Sequence, residues 1–232
     1  PLSEALRELL HLSVEDRILI LSLVPAELAA ELIDEAPAET AADLVEGLTA
    51  IRAAEIMEEL DSDVQADLIG DLDAEDAEAI LSKMDSDDAA DVRRLVAYAD
   101  DTAGGLMVAE AFSFSNSQTV GKVLRDLASA DDDFERYRGQ HPYVIDEDGK
   151  PVGVVSLRGL LTSKRSDLLT TIMIPPLTVP VDMPLFNLED IFDEHAFLGI
   201  PVVETDGTLV GTVSRAAVSA AALERSESES LK

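Results

Sequence analysis

The sequence contains no cysteine, which excludes a disulfide framework, a thiolate zinc site and a cysteine nucleophile, and fits a reducing compartment. Basic residues are scarce: 17 Lys and Arg stand against 48 Asp and Glu, a net charge of −31. That charge repels phosphate backbones and anionic headgroups alike, so nucleic acid is not expected as a partner. No apolar run approaches the roughly 18 residues that span a bilayer. The opening PLSEALREL also lacks the basic region and apolar stretch of a signal peptide. The chain as given is therefore expected to be soluble, and its start at Pro1 is expected of a piece of a longer protein. At 232 residues and 47% hydrophobic, it can bury the core of one large domain or two modest ones. The acidic surface concentrates cations, which leaves a divalent-cation ligand set and a halophile-like solvated surface both open.

Catalytic signatures are missing as well. The glycine pair Gly104-Gly105 lacks a following Lys-Ser or Lys-Thr, there is no Gly-x-Ser-x-Gly, and His11, His141 and His195 show no metal-ligand spacing. No enzyme activity is expected.

What is present is a repeat of twelve residues in the first half. Leu12, Val24, Ala36, Leu48, Leu60, Leu72 and Met84 form one column, and Ser13, Pro25, Pro37, Thr49, Asp61, Asp73 and Asp85 the next. Ser, Thr and Asp accept hydrogen bonds from orphan helix amides, and Pro suits a helix start, so each repeat opens a helix. Two positions on stand Glu15, Glu27, Glu39, Ile51, Asp63, Glu75 and Asp87, mostly acidic, where the helix dipole favours negative charge. Eight residues after the leading column come Ile20, Leu32, Leu44, Ile56, Leu68, Ile80 and Val92, one buried stripe per repeat. Helices of about nine residues are marginal alone and must stack, which predicts an α-superhelix.

After Val96 the pattern breaks at YADDTAGG, residues 98–105, and short β-branched runs with acidic-glycine turns follow. HPYVIDEDGKPVGVVSLRGLL, from His141, and IPVVETDGTLVGTVSRAAV, from Ile200, form an approximate duplication. Gly149, Gly153 and Ser156 lie 58 residues before Gly207, Gly211 and Ser214. With the extended segment and helix before each copy, the order β-α-β-β-α is predicted twice.

The duplicated unit resembles a pair of CBS domains, and the superhelix followed by DDTAGGLMVAE, Asp100 to Glu110, resembles the N domain and first CBS segment of MgtE-type magnesium channels. The fold implied is multidomain α and α/β, a short-helix superhelix followed by a tandem CBS pair. Its expected parts are an MgtE N domain over 1–98, CBS domains over 99–165 and 166–225, and a tail over 226–232. The resemblance implies the Mg²⁺-sensing regulatory region of a magnesium transporter at the cytoplasmic face of the membrane. It also implies a homodimer formed through the CBS domains and a C-terminal transmembrane domain of the same full-length protein that it gates. By motif position it implies metal ligands at Asp87 and Asp91, four apart on one helix, at Glu31, and at the backbone of Gly105.

The chain departs from the family after the last strand, where Arg215, Ala216, Ala217 and Ala220 replace expected acidic residues. The nearby Glu189, Asp190, Asp193, Glu194 and His195 read as surface charge. CBS domains that bind ATP or AMP commonly hold the ribose with an Asp three residues after a Ser or Thr, but Gly159 and Ala217 stand at those positions. Arg158 remains as a phosphate contact and Phe197 as an adenine platform. An adenine-nucleotide sensor and a protein-interaction scaffold without metal, resembling the short-helix superhelices of the flagellar motor switch protein, are the alternatives.

Overall fold

In the computed structural model, which describes residues 2–128 and 141–230, the twelve-residue spacing of the first half becomes a spacing of helix starts. Helix α1 (Leu2–Leu10) precedes the repeat. It is followed by α2 (Val14–Leu23), α3 (Ala26–Asp34), α4 (Ala38–Glu46), α5 (Ala50–Met57), α6 (Ser62–Asp71), α7 (Ala74–Leu81) and α8 (Ser86–Leu95). Every residue of the Ser13-to-Asp85 column is an N-cap. Ser13 accepts from the Asp16 amide at 3.2 Å, Thr49 from Arg52 at 3.3 Å and Asp85 from Asp87 at 2.9 Å, each satisfying an amide that the helix itself leaves unpaired. Pro25 and Pro37 contribute a preset φ instead, at −52° and −57°.

The predicted stripe is buried at Leu32, Leu44, Ile56, Leu68, Ile80 and Val92. In α2 the deeply buried residue is Leu21, one position beyond the predicted Ile20, which is only half-buried. The reason is local. Ile18, Leu19, Ile20, Leu21 and Leu23 leave α2 apolar on nearly every side, so no single stripe fixes its rotation. Alternate helices pack together, α1, α3, α5 and α7 in one row and α4, α6 and α8 in another, which makes the stack an α-superhelix over one continuous core from Leu6 to Val92. Two arginines close helix C-termini along it. Arg17 donates to the Leu10 and Leu12 carbonyls at 2.5 and 3.0 Å. Arg52 donates to those of Leu21, at 3.0 Å, and Val24, while pairing with Glu55.

The chain divides into two compact units, residues up to Ala97 and from Tyr98 onward. The second contains the predicted duplication. Its first copy comprises β2 (Ser113–Ser115), α9 (Val120–Ala128), β3 (Tyr143–Ile145), β4 (Pro151–Val154) and α10 (Leu157–Thr162); β1 (Met107–Val108) precedes it. The second comprises β5 (Val179–Pro180), α11 (Leu185–Glu194), β6 (Gly199–Val203), β7 (Leu209–Ser214) and α12 (Arg215–Ser230). In each copy the first strand pairs parallel with the second and the second antiparallel with the third. Even the irregularities repeat, with register shifts at Val144/Ile145 and Val202/Val203. Gly149 and Gly207, at φ +75° and +88°, take the left-handed turn position that favours glycine.

The copies interlock. Strand β1 adds antiparallel to β7, at the edge of the second sheet, and Ile174 from the linker bridges to Val154 of the first. Helix α12 continues through Ser230; residues 231–232 of the predicted tail lie outside the described residues.

Candidate ion and nucleotide sites

Helix α8 carries the predicted ligands Asp87 and Asp91. Asp87 is exposed in its first turn, beside the capping Asp85. Asp91 is engaged by its own helix, since Arg94 donates to its Oδ1 at 2.7 Å. The neighbouring Arg93 reaches Glu78 on α7 at 2.8 Å. Among the described residues no group of three or more histidine, aspartate or glutamate side chains stands close enough to hold a metal ion directly.

Glu31 is placed differently. It lies on α3 in an open groove of about 220 Å³, with Glu27 and Asp34 of the same helix and Glu59 and Asp61 from the junction of α5 and α6. Positions 27, 31 and 34 are spaced by four and three, so they share one helix face. Packing of α3 against α5 then brings in the other pair. Burial, and next the charges of Asp61 and Glu35, hold the Asp34 carboxyl above its ordinary value of 3.8. Sequence reasoning missed Glu59 and Asp34 and took Glu27 and Asp61 as helix-start residues. The 27-31-34 spacing was the available signal.

Gly105 sits in a tight turn. Thr102 Oγ1 donates to the Ala99 carbonyl at 2.7 Å, and the Leu106 amide returns to the Thr102 carbonyl at 3.0 Å. A Cβ at Gly105 would lie 2.3 Å from the Ala99 carbonyl oxygen, and the Tyr98 ring covers Gly104. The turn is tied to the second copy by bonds from the Ala103 and Gly104 amides to the Met183 and Val181 carbonyls, both 2.8 Å. The glycine pair therefore has a steric origin of its own, independent of any ligand.

Between the CBS-like copies lies a cleft of about 370 Å³. Its walls include Tyr143 and Ser156 of the first copy, Ile174 and Leu177 of the linker, and Phe197 and Ile200 of the second. Phe197 is 37% exposed and stacked on His195, with ring centroids 5.0 Å apart and planes at 27°. Tyr143 is buried, and burial pushes its phenol up to about 12 against a hydrogen bond with Thr212, so it stays protonated at any ordinary pH. The lining is mostly apolar and contains no lysine or arginine. Arg158 is exposed in the first turn of α10, two residues after the lining Ser156, and makes no ion pair among the described residues. Ser156 spends its hydroxyl as the cap of α10, accepting from the Gly159 amide at 3.0 Å.

No described helix is long and apolar enough to cross a membrane. Residues 2–101 match the family described as MgtE intracellular N domain, and residues 103–165 and 166–224 match the CBS domain family. The chain is 36% identical over 126 residues to the magnesium transporter MgtE of Thermus thermophilus and 30% identical over 125 residues to that of Enterococcus faecalis. Those matches take in 54% and 53% of this chain but only 28% and 27% of the relatives. The fold matches the crystal structure of the cytosolic domain of the Mg²⁺ channel MgtE in complex with ATP, with a TM-score of 0.82 at 31% identity, over 94% of this chain and 88% of that one. A second match, to the soluble part of a magnesium transporter, has a TM-score of 0.69 at 22% identity, over 97% and 96% of the two chains, and bears on the fold alone. The chain belongs to the MgtE magnesium transporter family, as an MgtE N domain followed by a CBS pair.

Proposed function

We propose that this chain is a Mg²⁺-sensing regulatory region, at the cytoplasmic face of the membrane, that gates a magnesium-transporting domain of the same longer protein. The observation that carries the reading is the acidic groove of the N domain, which gathers Glu27, Glu31, Asp34, Glu59 and Asp61 in a family whose named relatives are magnesium transporters. Carboxylates are the donors a hard cation takes, and Mg²⁺ commonly keeps several of its waters. A hydrated ion suits carboxylates that do not converge on one point. Asp87 contributes a further exposed carboxylate on α8, and Asp91 does so on release from Arg94. Neutralising like charges stabilises the ion-bound domain, and losing the ion restores their repulsion.

The test is a melt of the chain in millimolar MgCl₂ against NaCl of matched ionic strength, with Glu31→Gln/Asp34→Asn and Asp87→Ala/Asp91→Ala variants. A magnesium-specific rise in melting temperature that the groove variant loses supports the reading; equal rises in both salts refute it.

A second reading concerns the CBS cleft. Its volume, the accessible ring of Phe197 and the ATP complex of the 31%-identical neighbour favour an adenine nucleotide there, with Arg158 at the phosphates. Calorimetry with ATP and AMP decides it, and the absence of heat for both disposes of it. Exposed Leu157 and Leu161 on α10, Phe186 on α11 and Leu223 on α12 support a homodimer through the CBS unit. Light scattering that returns a monomer mass at micromolar concentration would contradict it.

A further inference from the structure

Arg215 stands where β7 passes into α12, at a position read from sequence only as a lost acidic residue. Its guanidinium is not free. Nε donates to the Phe197 carbonyl at 3.0 Å, and Nη2 donates to the His195 carbonyl at 2.5 Å and to that of Phe192. Its carbon lies 5.2 Å from the centroid of the Phe192 ring, and its backbone amide donates to the Leu198 carbonyl at 2.9 Å. Helix α11 ends at Glu194 with His195 as its C-cap. The carbonyls held are thus those of its last turn and of the extended segment that follows. Such carbonyls lack partners within the helix, and a cation at this end also meets the negative pole of the dipole.

The consequence is positional. Phe197 reaches the cleft from the irregular stretch between α11 and β6, and a ring can serve as a stacking platform only if the backbone carrying it is held. We propose that Arg215 is the positioning residue of the CBS cleft. By clamping the carbonyls of Phe192, His195 and Phe197 to the β7–α12 junction, it presents the Phe197 face to the planar base of a nucleotide. This rests on the nucleotide reading above for the identity of the ligand, though not for the clamp itself. Because its donors go to carbonyls, Arg215 does not serve phosphate, which leaves that task to Arg158. Lysine is no substitute, since a single ammonium cannot reproduce the planar fork.

The experiment uses the whole chain as wild type, Arg215→Met, Arg215→Lys and Phe197→Ala. Amide hydrogen exchange is read by mass spectrometry, and ATP and AMP binding by calorimetry. Arg215→Met is expected to speed exchange over 195–199 while leaving 143–154 unchanged, and to weaken nucleotide binding by about tenfold, on the scale of one charge-assisted hydrogen bond. Arg215→Lys, which keeps the charge without the fork, should exchange and bind like the Met variant. Phe197→Ala should lose affinity yet leave exchange over 192–195 near wild type, and adding Arg215→Met to it should cost no further affinity. If Arg215→Met does not fold, Arg215→Gln takes its place. Wild-type exchange over 195–199 in the Met variant overturns the clamp, and wild-type affinity with faster exchange overturns its positioning role. If wild type itself binds neither ATP nor AMP, the nucleotide reading fails by itself, and the exchange data still decide whether Arg215 holds the segment.

Discussion

Alanine at Gly105 offers a sharp test of how the junction turn is built. The added Cβ would lie 2.3 Å from the Ala99 carbonyl oxygen, 2.7 Å from Asp100 Cα and 2.9 Å from the Ala99 carbonyl carbon. All three are backbone atoms, so no side chain can rotate away and the turn itself must open. It is held by the Thr102 hydroxyl and by bonds from Ala103 and Gly104 to the second CBS copy, so the shift spreads into that sheet. Forcing a methyl group into such a site costs about 1–3 kcal/mol. At roughly 2–4 °C per kcal/mol for a domain of this size, the melting temperature should fall by about 2–12 °C. The control is Gly70→Ala in α6, where nothing lies within 4 Å of the new Cβ. There the lower backbone entropy of alanine should stabilise by about 0.5–1 kcal/mol. Tyrosine fluorescence isolates the relevant transition, because the first unit contains no tyrosine, Tyr98 and Tyr143 belong to the second, and the chain has no tryptophan. Circular dichroism follows both units. A Gly105→Ala melt within about 1 °C of wild type in the tyrosine signal would refute the steric account. The backbone carbonyl would then be the remaining reason for interest in the residue, since a carbonyl ligand survives the substitution.

Further outcomes follow from the N domain. Asp34 has a raised carboxyl pKa, so it binds its proton more tightly folded than unfolded; that contribution is complete below the ordinary value of 3.8 and is lost as pH rises through the raised one. Asp34→Asn should therefore stabilise at neutral pH, by only about 0.2–0.5 kcal/mol because the group is largely solvated, and the gain should vanish in melts below pH 3.8. Arg52→Met removes the donors to the Leu21 and Val24 carbonyls and should cost about 1–3 kcal/mol in denaturant melts followed by circular dichroism. Ile56 is fully buried in the superhelix core, so Ile56→Ala should cost about 2–5 kcal/mol in the same melts and leave the tyrosine transition in place.

Much of this molecule was legible because its information is local. Caps, dipole-matched acids and a buried stripe recur every twelve residues, and each acts within its own helix, so the superhelix follows from addition. The duplication was legible for a similar reason, since Gly149 and Gly207 answer to the geometry of their own turns. Leu21 in place of Ile20 shows where locality stops, because a helix apolar on most sides takes its rotation from its neighbours. The acidic groove shows the same limit. The stripe of Glu27, Glu31 and Asp34 is written along α3, but Glu59 and Asp61 join it only because α5 packs alongside.

By itself, then, the sequence determined the element types, the repeat, the duplicated CBS unit and the family, since each depends on short-range periodicity and turn chemistry. Only the tertiary structure decided which side chains meet. It placed Glu31 among carboxylates from another helix and turned Arg215 from a missing ligand into a clamp on carbonyls about twenty residues away. Such partnerships form through space, between segments whose separation along the chain carries no periodic signal.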